Sequence, residues 1–301
     1  MRKVLPIIFA TCLLNLFAKG TGVQRYKDTV FTQITIDSLV YNTVNGKPLL
    51  MDIYQPAGDT ARLRPLIILA HGGSFMHGNR KCDRQPAICR ALAERGYVAV
   101  SIDYRLTNLA VMAARPSAYR AIIKSVADGR ASVAWFLRDI ANGNTYRIDK
   151  SRIYFGGSSA GAILAEQLAF IDSAAECRPV LCKAVRKFLP DADALPPHTI
   201  RGVISLAGAV LDTAIISTNQ PALLHIHGDA DRIVPYGYKR AVNGLAPFKM
   251  AGLAGSRQRY TSQHLNYTEY VFKNAGHTTW DRNDADFEIV IQQIVDFLMN
   301  N

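Results

Sequence analysis

"RIYFGGSSAGAILAEQLAF", residues 152 to 170, joins two unlike halves through a run of small residues. The first half, aromatic and β-branched, reads as a strand, and the second, rich in Ala and Leu, reads as a helix. A change of direction with so little chain between the two demands small side chains. Gly157, Ser158, Ser159, Ala160 and Gly161 supply them and satisfy Gly-x-Ser-x-Gly. Between a strand and a helix, that pattern forms a nucleophile elbow, a sharp turn that leaves one serine standing clear of the backbone. The central position belongs to Ser159, not Ser158. At a helix start it also lies beside unpaired backbone N–H groups and the positive end of the helix dipole, where negative charge is stabilised.

Working outward, "PLIILAHGG" (65 to 73) and "YVAVSIDYR" (97 to 105) are continuous apolar runs ending in Gly or charged residues, as strands buried on both faces do. Helical patterns separate them: "PAICRALAERG" (86 to 96), ending on Gly96, and residues 117 to 144. The alternation continues through "IRGVISLAG" (200 to 208), "PALLHIHG" (221 to 228), "TEYVFKNAG" (268 to 276) and a last helix from 284 to 299. Two polar-flanked β-like segments, 29 to 40 and 48 to 54, precede the repeat. The pattern predicts one α/β domain over 21–301, a mostly parallel sheet flanked by helices with antiparallel strands at its start. Stretches 172–199 and 237–267 break the repeat and read as short insertions; the first could cap a pocket or be a surface excursion.

A serine hydroxyl is a poor nucleophile until a base takes its proton, and the base, usually histidine, needs a carboxylate to orient it. "HGDADRIVP" (227 to 235) and "NAGHTTW" (274 to 280) each follow a strand, so acid and histidine sit at strand C-terminal ends, where open α/β sheets place their sites. The order Ser, Asp, His is that of α/β-hydrolases. Gly72, Gly73 and Ser74 of "HGGSF" follow another buried strand, where backbone N–H groups can approach a substrate oxygen unobstructed.

From about residue 45 onward, with "LLMDIYQP", "HGGSFMHG", "RGYVAVSIDYRL", "GGSSAGA" and the acid loop in order, the chain resembles an α/β-hydrolase of the carboxylesterase/lipase group with an HGG oxyanion loop, a group that includes feruloyl and acetyl-xylan esterases. The resemblance implies the α/β-hydrolase fold. It selects Asp231 over Asp229 as the acid and His277 as the base, and it assigns the N–H groups of Gly73, Ser74 and Ala160 to the oxyanion hole. Many relatives have a third glycine where this chain has Ser74. The function expected is hydrolysis of small or aromatic carboxylic esters through an acyl-enzyme, with no metal or organic cofactor. A polysaccharide-directed feruloyl or acetyl-xylan esterase is the rival enzyme, and a non-catalytic binding protein on a hydrolase fold is the rival of another class.

Arg2 and Lys3, the apolar run from Val4 to Phe17, and Ala18 and Gly20 read as a secretory signal peptide over 1–20, implying a periplasmic or secreted protein. No later run reaches spanning length. The net charge of +11 includes Arg2, Lys3 and Lys19, so the remainder carries +8, scattered along the chain without the aromatic stripe of a nucleic-acid site. Cys82, Cys89, Cys177 and Cys182 make an even set in an exported chain, and the short-loop disulfides Cys82–Cys89 and Cys177–Cys182 are the simplest of three connectivities. His225 and His227 share one face of a strand, but no third metal ligand accompanies them, and a loop-shaping role for His227 is expected. Asp103 and Arg105 are expected to hold their loop through an ion pair or hydrogen bond. Phe75 and Trp280 read either as core or as walls of an acyl pocket.

Overall fold

Every residue of Arg64–Ala70 is buried, because this strand, β3, lies inside an eight-stranded sheet covered on both faces. The computed structural model describes residues 23–171, 178–190 and 194–301. The expected leader, 1–20, and Cys177 lie outside these residues. The sheet is built from β1 (Ile34–Val44), β2 (Lys47–Pro56), β3, β4 (Val98–Ile102), β5 (Ile148–Ser158), β6 (Gly202–Leu206), β7 (Ala222–Gly228) and β10 (Tyr267–Phe272), in the order β1-β2-β4-β3-β5-β6-β7-β10. The pairs β1–β2 and β2–β4 are antiparallel; the rest are parallel. The first strand begins later than its sequence suggests. The amides of Val30 and Phe31 donate instead to the Glu94 carbonyl, strapping that segment across the end of a helix.

Helices α3 (Arg115–Ala141), α4 (Ala160–Phe170) and α5 (Pro179–Phe188) cover one face, where Val126, Phe136, Phe155 and Leu164 belong to one buried cluster. Helices α1 (Gln85–Ala93) and α7 (Asp284–Asn300) cover the other, around Ile67, Leu92, Tyr154 and Ile294. All of α4 is buried, including Glu166 and Gln167, which explains why its sequence is apolar around the whole helix instead of amphipathic. A short helix, α2 (Leu109–Met112), precedes α3 and is capped by Asn108, whose side chain accepts from Val111 N–H.

The two irregular stretches differ in placement. Helix α5, from the first, packs along α3. The second forms a hairpin, β8 (Tyr238–Arg240) with β9 (Lys249–Ala251), followed by α6 (Leu253–Ser262). Ala251 exchanges backbone hydrogen bonds with Val210, beyond the end of β6, so this stretch lies at the C-terminal end of the sheet.

The disulfide expected between Cys82 and Cys89 does not form; both are free thiols. Cys89 is wholly buried on the inward face of α1 within the apolar cluster, and burial pushes its thiol well above the ordinary range. Cys82 lies in the loop before that helix, on the partly exposed side. Cys182 is buried on α5, and its expected partner Cys177 lies outside the described residues. Among the described residues no helix is long and apolar enough to cross a membrane.

Candidate functional site

The glycines of the elbow are required by close approach. A Cβ on Gly157 or Gly161 would run into the carbonyl of Ala70 at the end of β3. With that room, β5 turns directly into α4, and Ser159 takes φ 53° and ψ −115°, a conformation L-residues rarely adopt and one that persists only where its surroundings impose it. The Ser159 N–H donates to the Leu206 carbonyl at 2.8 Å, anchoring the turn to β6.

Two other strand ends meet this serine. His277, on the loop after β10, has Nε2 2.7 Å from Ser159 Oγ and Nδ1 2.7 Å from Asp231 Oδ2. Asp231, on the loop after β7, is fixed on its other oxygen, where Oδ1 accepts the N–H groups of Ile233 and Val234. Burial opposes ionisation of Asp231, but hydrogen bonds from His227 and His277 outweigh it and bring the carboxyl down to about 2. The three residues thus form one hydrogen-bonded line, acid to imidazole to hydroxyl. Asp229 takes no part in it. Its carboxylate accepts the Asn274 N–H at 2.6 Å.

The loop after β3 lies alongside. Gly73 and Ser74 both have positive φ, 107° and 55°, and a Cβ on Gly73 would collide with the His77 carbonyl. No acceptor among the described residues takes the N–H of Gly73, Ser74 or Ala160. His71 stiffens the loop from beneath, its ring stacked on Tyr104 at 4.3 Å with Nδ1 2.6 Å from the Gly72 carbonyl. Burial lowers its tendency to protonate, so the ring donates from Nδ1 as a neutral imidazole.

Asp83 is the residue that sequence reasoning missed. Its Oδ2 accepts the Gly72 N–H at 3.0 Å and the Ser158 hydroxyl, and its Oδ1 accepts Trp280 Nε1–H at 3.1 Å. One carboxylate therefore ties together the HGG loop, the elbow and the histidine loop. Asp83 and Arg84 both lie in the left-handed region, φ 63° and 53°; Arg84 reaches Asp281 at 2.7 Å, and Gln85 donates to the Ala70 carbonyl and to Ser158 Oγ. Trp280 is wholly buried and meets the His277 ring edge-on at 5.7 Å, while Phe75 is buried against Tyr104, so both support the site from within the core. Asp103 and Arg105 hold their loop through separate partners. Asp103 pairs with Arg80 at 3.0 Å, and Arg105 pairs with buried Asp128 at 2.8 Å.

Groups of three or more His, Cys, Asp or Glu arranged to hold a metal are absent among the described residues. His225 and His227 contact each other, Nε2 to Nδ1 at 3.2 Å. A serine, a histidine and a carboxylate in one hydrogen-bonded line, beside amide N–H groups unpaired among the described residues and at one end of a mostly parallel sheet, are the arrangement of an α/β-hydrolase of the carboxylesterase type.

The chain belongs to the BD-FAE family, whose family model matches residues 51–209. An esterase from the planctomycete Thermogutta terrifontis, Est2, superposes with a TM-score of 0.65 at 19% identity, over 88% of this chain and 92% of that one. The same enzyme with butyrate bound gives 0.65 and 19%, over 88% and 94%. Among curated proteins, non-reducing polyketide synthase pkbA of Emericella nidulans is 32% identical over 146 residues, 48% of this chain and 5% of the synthase. The synthase stbA of Stachybotrys bisbyi is 26% identical over 186 residues, 61% of this chain and 8% of that protein. The chain thus matches less than a tenth of the length of either synthase.

Proposed function

We propose that this esterase is an exported serine hydrolase that cleaves small carboxylic esters through an acyl-enzyme. The observation that carries the reading is the unbroken line from Asp231 Oδ2 through His277 to Ser159 Oγ, with both links at 2.7 Å. Ser159 Oγ attacks the ester carbonyl as His277 Nε2 takes its proton, while Asp231 holds the Nδ1–H tautomer and offsets the imidazolium charge. Negative charge gathers on the former carbonyl oxygen, and the N–H groups of Gly73, Ser74 and Ala160, with the N-terminus of α4, stabilise it. When the tetrahedral adduct collapses, the alcohol leaves with the proton from His277. Water, deprotonated by the same imidazole, then attacks the acyl-enzyme, releasing the acid and restoring Ser159.

The reading of small acyl groups is supported by the structurally similar esterase with butyrate bound. Export is supported by the basic start, apolar run and small residues of 1–20. The test compares p-nitrophenyl acetate, butyrate and octanoate hydrolysis by the mature chain and by Ser159→Ala. The expected result is a loss of at least about a thousandfold in kcat in the variant, with the shorter esters preferred by the wild type. Equal inertness of both proteins on these esters, and on feruloyl and acetylated-sugar esters, would instead favour a binding protein on a hydrolase fold.

A further inference from the structure

Behind Asp231 the polar line does not stop. His227 Nε2 lies 3.2 Å from Asp231 Oδ2, the same oxygen that faces His277, and 3.1 Å from the Val234 carbonyl. Both neighbours can only accept, so His227 must carry a proton on Nε2. Its Nδ1 faces His225 Nε2 at 3.2 Å. His225 in turn has Nδ1 3.5 Å from the Tyr260 hydroxyl and 3.7 Å from Glu166 Oε1. The side chains of His225, His227, Glu166 and Asp231 are all 0% exposed. Gly252, from the stretch after β7, closes over the string; a Cβ there would lie 3.1 Å from the His227 ring.

We propose, on the reading that Ser159, His277 and Asp231 perform ester hydrolysis, that His227 is a positioning residue: a neutral imidazole, protonated on Nε2, that gives Asp231 Oδ2 a second hydrogen bond, with its tautomer fixed by His225 donating from behind. The rest of the string agrees with this assignment. Burial, then the neighbouring His227 ring, keeps His225 far from accepting a second proton; only the Gly208 carbonyl works the other way. Burial also keeps the Tyr260 hydroxyl protonated, so it is available to donate to His225 Nδ1, and it keeps Glu166 uncharged at neutral pH. A single direction of donation therefore runs from Tyr260 through His225 and His227 to Asp231. The other arrangement, with His225 protonated on Nδ1 instead of Nε2, makes His227 a doubly protonated cation.

The second donor has a kinetic meaning. A carboxylate oxygen that shares its charge between two N–H groups pulls less strongly on the His277 imidazolium, and the His227 N–H fixes Oδ2 in line with that ring as the Ile233 and Val234 N–H groups fix Oδ1. The groups facing this line are Asp231, His225 and Tyr236 around His227, Glu166 and Tyr260 around His225, and Asp231 and Asp83 around His277. His227→Leu removes the ring's contacts with Asp231, the Val234 carbonyl, His225 and Tyr236 and leaves the His277–Asp231 and His277–Ser159 hydrogen bonds in place. In that variant kcat for p-nitrophenyl butyrate is expected to fall about tenfold or more with KM within twofold of wild type. The acid limb of kcat/KM is expected to move to higher pH. His227→Gln, whose amide can occupy the Nε2 position, is expected to recover most of kcat and return the limb.

Ring spectra of the full chain labelled with 15N-histidine test the same assignment without relying on a variant that must fold for kinetics. His227 and His225 should both appear as Nε2–H tautomers. A His227 ring protonated on Nδ1, alone or together with Nε2, overturns the proposal. So do Leu and Gln variants that lose equal activity with an unmoved acid limb. A wild type inert on every ester would overturn the esterase reading, and the ring spectra would then decide the Asp231 contact on their own.

Discussion

The indole of Trp280 donates its Nε1–H to Asp83 Oδ1 at 3.1 Å, joining positions 197 residues apart in sequence. Since Trp280 lies edge-on to the His277 ring and Asp83 also holds Gly72 and Ser158, one side chain sets the histidine and the HGG loop relative to the elbow. Burial raises the Asp83 carboxyl, against the hydrogen bonds from Trp280 and Gly72 that favour its charged form.

Asp83→Ala leaves the Trp280 and Gly72 N–H groups without their acceptor, at a cost of about 1 to 3 kcal/mol for each buried group left unpaired. The expected outcome is a loss of roughly 3 kcal/mol in urea unfolding, a shift in Trp280 emission, and kcat lowered by about tenfold. Stability equal to wild type would show that this carboxylate is not the clamp described above.

Ser74 holds a left-handed backbone with φ 55°, which costs an L-residue roughly 1–2 kcal/mol. Ser74→Gly relieves that cost but gives back part of it as extra freedom in the unfolded chain, about 0.5–1 kcal/mol. The net expectation is a gain of about 0.5–1 kcal/mol in thermal unfolding, with hydrolysis of small esters retained. A lowered melting temperature would mean that the serine side chain contributes contacts which outweigh its strain.

Glu166 makes stability depend on pH with a definite sign. Burial raises its carboxyl from the ordinary 4.5 to about 8, despite the hydrogen bond from Ser205 Oγ. Below pH 4.5 the group is protonated in folded and unfolded chains alike and has no effect. Between 4.5 and 8 only the unfolded chain releases the proton, so stability falls as pH rises, by up to about 1.4 kcal/mol per pH unit. Above 8 the loss is complete and constant. Glu166→Gln should therefore become more stable relative to wild type as pH goes from 5 to 8, a trend read from melting curves across that range. Parallel curves would refute it.

The sequence made the elbow readable because its chemistry is local: five small residues between a strand and a helix permit little else. The loops carrying Asp231 and His277 were readable as strand ends, although choosing Asp231 over Asp229 rested on family likeness, and the reason for that choice is three-dimensional. Asp231 turns inward between two imidazoles, whereas Asp229 is spent on the Asn274 amide. Asp83 was not readable, since its partners come from positions 72, 158 and 280 and its left-handed backbone is not encoded by any glycine. For Asp103 and Arg105 the kind of interaction could be foreseen but not the partners, Arg80 and Asp128, which lie far off along the chain. Counting cysteines misled for Cys82 and Cys89, because an even number says nothing about which way a helical thiol faces. Cys89 faces the core.

His277 hangs from the edge of the sheet. Among the described residues strand β10 pairs only with β7, and most of its own residues are not fully buried. Edge elements with few buried contacts open at lower free energy than the core they adjoin. Peeling β10 away would carry His277 from Ser159 while the elbow, anchored between β3 and β6, stayed intact. Under mild denaturant or heat, the protein would thus pass through a state that is still folded by most measures yet catalytically silent, and hydrolysis would report the condition of its outermost strand rather than of the molecule as a whole.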